Sequence, residues 1–244
     1  MRIGIIGAGN IGGTLARKWV QAGYKVAIAN SRGPDTLREI AATTAAKAST
    51  LDEVSQGVHA LVLSVPQRAV PSLPPEIFAT APFVIDTNNY YPWRDDHIEA
   101  IDDGMPDSVW VAQHVQRPVV KAFNSIQSNS LAKHGRPRGA ADRIALPLAG
   151  DNAAALQVTS TLIDAIGFDP IIIGGLDASW RQQPGAPVYC TDLSAEELRE
   201  LLPKAERARL PELRDAAIRA FMESSPPPTP EQRREIFRRL YLPH

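Results

Sequence analysis

Cysteine is almost absent from this chain of 244 residues, and Cys190 is the only one. A disulfide within the chain is therefore excluded, which fits a reducing cytoplasm, and no cysteine cluster is available for a metal ion. An excess of either charge is also missing, since the formal net charge is −1, so we expect neither nucleic acid nor an anionic membrane as a partner. The apolar runs are too short to span a bilayer, and no basic, apolar leader precedes the first predicted strand, so we expect no signal peptide. These absences predict a cytoplasmic protein without a metal site.

The chain begins with the pattern of a dinucleotide-binding unit. Arg2 to Ile6 is an apolar run rich in β-branched residues, which predicts a buried strand, and Gly13 to Gln21 carries apolar residues at helical spacing. The loop between them reads G-x-G-x-x-G, the fingerprint of a nicotinamide dinucleotide site when it connects a strand to a helix. Its members are Gly7, Ala8, Gly9, Asn10, Ile11 and Gly12. The alternative is a glycine-rich turn that binds nothing.

Each glycine of this loop has a mechanical role in that interpretation. We expect Gly7 to permit the tight turn, Gly9 to let a pyrophosphate approach the backbone, and Gly12 to let the helix pack closely on the strand. The first helical turn offers unpaired N–H groups and the positive end of the helix dipole to the phosphates. Asn10 and Ile11 are therefore part of the predicted cofactor site.

The end of the second predicted strand indicates which dinucleotide binds. An NAD site usually places Asp or Glu there, about 20 residues beyond the glycines, to bind the ribose 2′-hydroxyl. This chain has Asn30, Ser31 and Arg32 instead, and a guanidinium is well shaped to bind a 2′-phosphate. Asp35 is nearby, but we expect it to cap the next helix. We therefore predict NADP(H); the alternative for Arg32 is an ordinary solvated side chain.

Predicted strands and helices alternate through most of the chain, which is typical of a Rossmann-like α/β fold with a doubly wound, mostly parallel sheet. Strands are expected at residues 2–6, 24–29, 60–66, 83–86, 119–123, 144–148 and 170–173. Helices are expected at residues 13–21, 34–44, 51–56 and 152–166, with Gly150 and Asp151 supplying the turn and the N-cap of the last one. We assign residues 1–178 to an NADP-binding domain.

The composition changes after this point, and we assign residues 179–244 to a small C-terminal helical segment. Gln182 to Pro187 is rich in turn residues, Ser194 to Glu197 forms a capping box, and Ser224 to Pro230 is a proline-rich break. Further helices are expected at residues 213–222 and 231–240. Their apolar faces are suited to cover a sheet edge of their own subunit or of a partner, which leaves a homodimer open.

Ligands of such folds bind outside the carboxyl ends of the strands. Ser64, Val65 and Pro66 end one predicted strand, and we expect them to run under the path from the adenosine to the nicotinamide. Three amide side chains end the next two strands and are expected to hydrogen-bond the carboxamide or the acceptor: Asn88, Asn89 and Asn124. The alternative for each is a loop former that stabilises local backbone.

No catalytic residue can be named from the sequence. Lys121 lies in an apolar strand and is either a buried base or, as we favour, a strand-end lysine whose ammonium reaches outward to solvent. Cys190 has no activating partner in the pattern, and we interpret it as inert packing. Hydride transfer to a flavin-type ring requires no protein acid or base, whereas oxidation of an alcohol does.

Several segments together resemble the F420-dependent NADP reductase family: GAGNIGGTLA from residue 7, NSR from residue 30, LSVP from residue 63, VVKAFNSI from residue 119 and PLAGD from residue 147. The NADPH-binding domain of membrane metalloreductases is similar. The resemblance covers about residues 1–178, and the chain departs from both groups from Trp180 onward. It implies an NADPH-binding Rossmann domain whose nicotinamide lies open to a flat deazaflavin or flavin partner.

We therefore predict an oxidoreductase that transfers a hydride between NADP(H) and a small flavin- or deazaflavin-type (F420-like) acceptor. One alternative is an NADP-dependent dehydrogenase or reductase of a small carbonyl or hydroxyacid substrate. Such enzymes usually carry a long helical domain, whereas this tail is short and interrupted by prolines. The other alternative is a non-catalytic regulatory protein that binds NADPH.

Overall fold

The centre of the molecule is an eight-stranded sheet, seen in a computed structural model that describes residues 1–243. Its strands are β1 (Arg2–Ile6), β2 (Lys25–Ala29), β3 (Lys47–Ala48), β4 (Ala60–Leu63), β5 (Val84–Asp86), β6 (Val119–Lys121), β7 (Ala145–Gly150) and β8 (Asp169–Ile172). They lie in the order β3-β2-β1-β4-β5-β6-β7-β8. The strand order reverses between β1 and β4, and such a switch point opens a crevice at the carboxyl ends of the strands. The predicted Rossmann-like fold is confirmed.

The helices of the nucleotide-binding half are α1 (Asn10–Gln21), α2 (Arg38–Thr44), α3 (Leu51–Val54), α4 (Pro92–Asp95), α5 (Glu99–Asp102), α6 (Asp107–Val115), α7 (Ser128–Lys133) and α8 (Ala153–Asp164). Short 3₁₀ helices lie at Pro34–Leu37, Gln67–Ser72, Pro75–Phe78 and Leu176–Gln182. Four of these helices, α4 to α7, were not predicted. The prolines at positions 92 and 106 stand at or just before the starts of two of them, where this residue is well tolerated.

Helix α1 is fixed against the sheet by its apolar face. Leu15, Ala16 and Trp19 are fully buried. The Trp19 indole N–H donates to the Leu162 carbonyl at 3.0 Å, and its ring meets Phe123 edge-on at 5.6 Å between centroids. Burying a large apolar side chain contributes about 1.5–3 kcal/mol. These contacts hold the N-terminus of α1 at the carboxyl end of β1.

Strand β7 runs antiparallel to β6, whereas the other paired strands are parallel. Only the last two residues of β7, Ala149 and Gly150, pair with β6. The beginning of β7 therefore extends past the carboxyl end of β6, where the Ala145 N–H donates to the Leu193 carbonyl at 2.8 Å. This extension fastens the C-terminal segment to the side of the sheet that carries the crevice.

The N-cap of α8 differs from the prediction. Asn152, not Asp151, caps this helix, because its side-chain oxygen accepts the Ala155 N–H at 2.9 Å. The Asp151 carboxylate accepts the Leu176 N–H at 3.0 Å instead and so holds the 3₁₀ helix that follows β8. Asp151 stands one residue too early to cap α8.

The C-terminal segment consists of α9 (Ala195–Leu201), α10 (Leu210–Met222) and α11 (Pro230–Tyr241), with short 3₁₀ helices at Leu202–Lys204 and Arg207–Arg209. The predicted capping box of α9 is present in both directions between Ser194 and Glu197. Helices α10 and α11 pack on each other through Ala217, Phe237 and Tyr241. The domain boundary at residue 178 falls inside a 3₁₀ helix and stays a prediction. Within residues 1–243, no helix combines the length and apolar character needed to cross a bilayer.

Candidate functional site

The glycine loop has a backbone geometry that larger residues would disrupt at two of its three glycines. Gly7 has a φ of +108°, and a Cβ there would lie 2.0 Å from the Ser64 carbonyl oxygen. A Cβ at Gly12 would lie 2.0 Å from the Gly7 carbonyl oxygen. A Cβ at Gly9, by contrast, would meet no atom within 4 Å. Two glycines are therefore required by packing, while the third borders open space where a ligand group can approach the backbone.

The N-terminus of α1 opens onto the same space. The helix begins after Gly9 without a side-chain cap, and no acidic residue stands in its first turn. Its first N–H groups are thus free to donate, and the helix dipole adds a partial positive charge. This combination binds phosphate groups in many proteins.

The loop after β2 presents a cation without a matching carboxylate. The Asn30 side-chain oxygen accepts the Arg32 N–H at 2.9 Å, so Asn30 acts as a turn former here. The Arg32 side chain is exposed and makes no ion pair among residues 1–243. Asp35 does not cap the next helix as predicted, because the N-cap of the 3₁₀ helix Pro34–Leu37 is Gly33. The Asp35 carboxylate pairs with Arg38 at 2.7 Å instead. The charge of Arg32 therefore stays available for an anion.

A cleft of about 400 Å³ lies at the carboxyl ends of the central strands. Nine of the predicted site residues line it together: Gly9, Asn10, Ile11, Ser64, Val65, Pro66, Asn88, Asn89 and Asn124. Gly7 and Gly12 lie in the loop beneath the cleft, and Asn30, Ser31 and Arg32 follow the neighbouring strand β2 outside it. A volume of this size is typical of a small-molecule site.

Asn88 connects two strand ends at the floor of the cleft. Its side-chain oxygen accepts the Val65 N–H at 2.9 Å, and its own backbone N–H donates to Asp86 at 2.9 Å. Its side-chain nitrogen is buried without a hydrogen-bond partner in the described part of the chain. Asn88 thus stabilises the local backbone and still holds one donor for a ligand, since an unpaired buried donor is costly.

Asn124 is held beside it by an unusual turn. The preceding Phe123 has a φ of +62°, a conformation that an aromatic residue rarely adopts and that clusters at functional sites. The Asn124 side-chain nitrogen donates to the Gln182 carbonyl at 2.7 Å and to the Asn89 side-chain oxygen at 3.1 Å. Its side-chain oxygen is buried without a partner in residues 1–243. An unpaired acceptor therefore accompanies the unpaired donor of Asn88.

Lys121 does not reach solvent, so the favoured sequence interpretation was wrong. The side chain is fully buried, and its ammonium donates to the Asn88 carbonyl and, at 3.3 Å, to Asp86. Asp107 lies 3.1 Å from the same nitrogen, in a close ionic contact whose direction is poor for a hydrogen bond. The Gln182 side-chain nitrogen donates to the Lys121 carbonyl at 3.2 Å, so the 3₁₀ helix Leu176–Gln182 lies against the end of β6.

The charges next to Lys121 determine whether this lysine can act as a base. Burial alone would lower the pKa of Lys121, but Asp107 and Asp86 raise it on balance, so the lysine stays protonated. Burial raises the pKa of Asp107, against the opposing effect of the ammonium. A protonated lysine that does not line the cleft is a poor base. It instead holds the loop that carries Asn88.

The C-terminal segment also contributes residues to the lining of the cleft, although the sequence did not associate this segment with the site. These residues, which we call the tail wall, are Tyr189, Cys190, Phe221, Arg233 and Phe237. The Tyr189 hydroxyl lies 2.7 Å from the Tyr91 hydroxyl, which joins this wall to the loop after β5. These positions are about a hundred residues apart in the chain, and no spacing or motif in the sequence links them.

Cys190 lines the cleft but has no features of a nucleophile. It is buried, its N–H donates to the Ser125 carbonyl at 2.8 Å, and its φ is +57°. Burial raises the pKa of its thiol well above the usual range, which keeps it protonated. Burial likewise raises the pKa of Tyr91 and of Tyr189, so both hydroxyls stay neutral.

Comparisons with known proteins agree with this geometry. Residues 2–90 match the model of the family described as NADP oxidoreductase coenzyme F420-dependent. Over 88 residues, or 34% of this chain, the sequence is 47% identical to the protein YjhV of Escherichia coli strain K12. That match spans 64% of YjhV, so this chain covers less than two thirds of its relative. The predicted resemblance is confirmed for residues 2–90, which match the model of this family.

Solved structures extend the likeness to most of the fold. A hypothetical protein of Sinorhizobium meliloti, SMa0349, is 28% identical, with a TM-score of 0.66 over 79% of this chain and 94% of that one. A provisionally assigned F420-dependent NADP reductase of Arthrobacter sp. FB24 shares the fold at 20% identity, with a TM-score of 0.57 over 71% of this chain and 84% of that one. The chain thus shares the Rossmann fold of these proteins over most of its length. The family match ends at residue 90, before β6, Asn124 and the tail wall of the cleft.

Proposed function

We propose that this protein is an NADP(H)-dependent oxidoreductase that exchanges a hydride with a flavin- or deazaflavin-type acceptor. The observation that carries the cofactor assignment is the exposed Arg32 after β2, which has no ion-pair partner in residues 1–243. The end of β2 also lacks the Asp or Glu that an NAD site places there. The open space above Gly9, the uncapped start of α1 and the unpaired amide atoms of Asn88 and Asn124 fit the rest of the cofactor.

These residues divide the binding of the cofactor among them. The N–H groups at the start of α1 bind the pyrophosphate, and Arg32 binds the 2′-phosphate. The Asn88 side-chain nitrogen and the Asn124 side-chain oxygen offer one donor and one acceptor, which together satisfy a carboxamide.

The remaining chemistry needs little from the protein. When bound, NADPH would supply a hydride, that is, a proton and two electrons, and water would supply the second proton of the reduced acceptor ring. The role of the cleft would be to hold the two rings in contact. The absence of a general base among the described residues that line the cleft favours this reaction over alcohol oxidation, since Lys121 is sealed away from it.

The cofactor assignment is tested by Arg32→Ala. NADPH binding should weaken by about 1.5–3 kcal/mol, because a charge-assisted hydrogen bond is lost, while NADH binding stays unchanged. Titration calorimetry with both nucleotides measures the difference. Arg38→Ala is a matched control, because Arg38 lies nearby, is exposed and already pairs with Asp35. Equal weakening of NADPH and NADH in Arg32→Ala would remove the argument for NADP preference.

The acceptor class is tested by following NADPH oxidation with flavins, deazaflavins, quinones and small ketones. Reduction of flavins or deazaflavins supports the proposal, and reduction of ketones alone favours a carbonyl reductase. Tight NADPH binding without turnover on any acceptor favours a regulatory protein.

A further inference from the structure

Three of the five residues of the tail wall are aromatic: Tyr189, Phe221 and Phe237. The Tyr189 and Phe237 rings meet edge-on at 5.7 Å between centroids, and the Phe221 and Phe237 rings do so at 5.2 Å. Aromatic side chains offer their faces and edges to other flat rings at such distances. The tail wall lines the same cleft as Asn88 and Asn124, and the Cys190 N–H donates to the carbonyl of Ser125, the residue after Asn124, at 2.8 Å, so the tail wall borders the nicotinamide end of the proposed cofactor site.

The charges of the cleft are of one sign. No aspartate or glutamate is among the described residues that line it, and the two charged residues are Arg94 and Arg233. The Arg94 guanidinium is neutralised by the buried carboxylate of Asp95 at 2.7 Å. The net positive charge of the cleft therefore rests on Arg233.

Arg233 is exposed on α11, and its Nε donates to the Pro228 carbonyl at 3.0 Å. It makes no ion pair within residues 1–243, whereas the next residue, Arg234, lies 3.6 Å from Asp192 and 3.7 Å from Glu235. A fixed Nε and two free guanidinium nitrogens at the rim of an aromatic cleft suit a phosphate or carboxylate.

A neutral hydroxyl pair completes the tail wall. One of the Tyr91 and Tyr189 hydroxyls donates to the other, and neither has a further partner in the described chain. One O–H therefore remains to donate to a ligand, such as the carbonyl oxygen of a heteroaromatic ring.

From these contacts we infer that the tail wall is the acceptor subsite, and that it selects a planar heteroaromatic acceptor bearing an anionic group, with the ring against Tyr189, Phe221 and Phe237 and the anion on Arg233. This inference rests on the proposed function, and it names the acceptor class by its charge. It uses residues that lie outside the family match.

The test compares two flavins that differ only in a phosphate, FMN and riboflavin. Their dissociation constants are measured by flavin fluorescence in the presence of NADP⁺, and NADPH binding is measured separately. The wild-type protein should bind FMN at least about tenfold more tightly than riboflavin, because only FMN reaches Arg233 with a charged group. Arg233→Gln should remove this preference while leaving riboflavin and NADPH binding unchanged.

Arg239→Gln provides the matched control. Arg239 is exposed on the same helix, carries the same charge and does not line the cleft, so this variant should keep the preference for FMN. If wild type binds both flavins equally, or if Arg233→Gln leaves the preference intact, the inference is wrong. If Arg233→Gln weakens NADPH instead, the anion that Arg233 binds belongs to the dinucleotide, and the inference is again wrong. If NADPH binds but no flavin or deazaflavin is bound or reduced, the proposed function itself fails.

Discussion

One end of the cleft is formed mainly by backbone groups, and the other end mainly by side chains. The glycine-loop end uses backbone: free N–H groups at the start of α1 and an open approach above Gly9. The other end uses side chains from the loops after β5 and β6 and from the C-terminal segment, including Asn88, Asn124 and Tyr189. A backbone site depends on a short local sequence, whereas a side-chain site depends on every contact that holds its parts together. The first end can therefore be shared widely among relatives, while the second is where we propose that the acceptor is selected.

The largest effect on the side-chain end of the cleft is expected from Lys121→Met, which removes the buried cation next to it. Asp86 and Asp107 would remain buried without their partner, and the loop carrying Asn88 would lose its anchor. Removing one member of a buried ion pair costs about 3–5 kcal/mol, so we expect a loss of that size in the free energy of unfolding. Urea denaturation followed by circular dichroism measures it.

A second variant identifies the cause. In Lys121→Met with Asp107→Asn, one of the two uncompensated charges is gone, so part of the lost stability should return. If the double variant is no more stable than the single one, the damage comes from packing and not from charge.

The next largest effects are expected at the glycine-loop end, where substitutions at two glycines should change different properties, nucleotide affinity and folding stability. Gly9→Ala should leave folding stability unchanged, because no atom lies within 4 Å of the added Cβ and the backbone there is extended. It should weaken NADPH and NADH alike, by at least about tenfold or 1.4 kcal/mol, because the methyl group occupies the approach of the pyrophosphate. Gly12→Ala should instead destabilise the fold by about 1–3 kcal/mol, since its Cβ would meet the Gly7 carbonyl. Unchanged nucleotide affinity in Gly9→Ala would place the phosphates elsewhere.

The same contrast explains how much the sequence could predict. Strand β1 has the predicted bounds, Arg2–Ile6, and the glycines have the geometry expected of them, because strand, turn and helix are neighbours in the chain. Helix α6 was missed, since Val109, Trp110, Val111 and Val115 place apolar residues on several sides and blur its period.

Contacts between residues far apart in the chain could not be predicted from local sequence patterns. Lys121 was expected to reach solvent because a lone lysine in a strand usually does, and its partner Asp86 lies 35 residues away. The tail wall was missed for the same reason, since the contact between Tyr91 and Tyr189 spans 98 residues. Helical spacing predicted that the tail helices exist, but it contains no information on where they dock.

The smallest effect concerns the hydroxyl pair that joins the tail wall to the loop after β5. Tyr189→Phe removes the hydrogen bond to Tyr91 and should cost about 0.5–1.5 kcal/mol of unfolding free energy at pH 8. Burial raises the pKa of Tyr189 well above its ordinary value of 10.0, so the folded protein keeps this hydroxyl protonated when the unfolded chain begins to ionise it. The stability that the hydroxyl contributes is therefore complete below about pH 10 and is lost above it, by up to about 1.4 kcal/mol per pH unit. Denaturation at pH 8 and at pH 11 should show the wild type losing its advantage over Tyr189→Phe, because the variant has one fewer tyrosine to ionise on unfolding. An equal loss of stability in both proteins would mean that Tyr189 already exchanges with solvent, and the tail wall would then be a mobile cover and not a fixed half of the site.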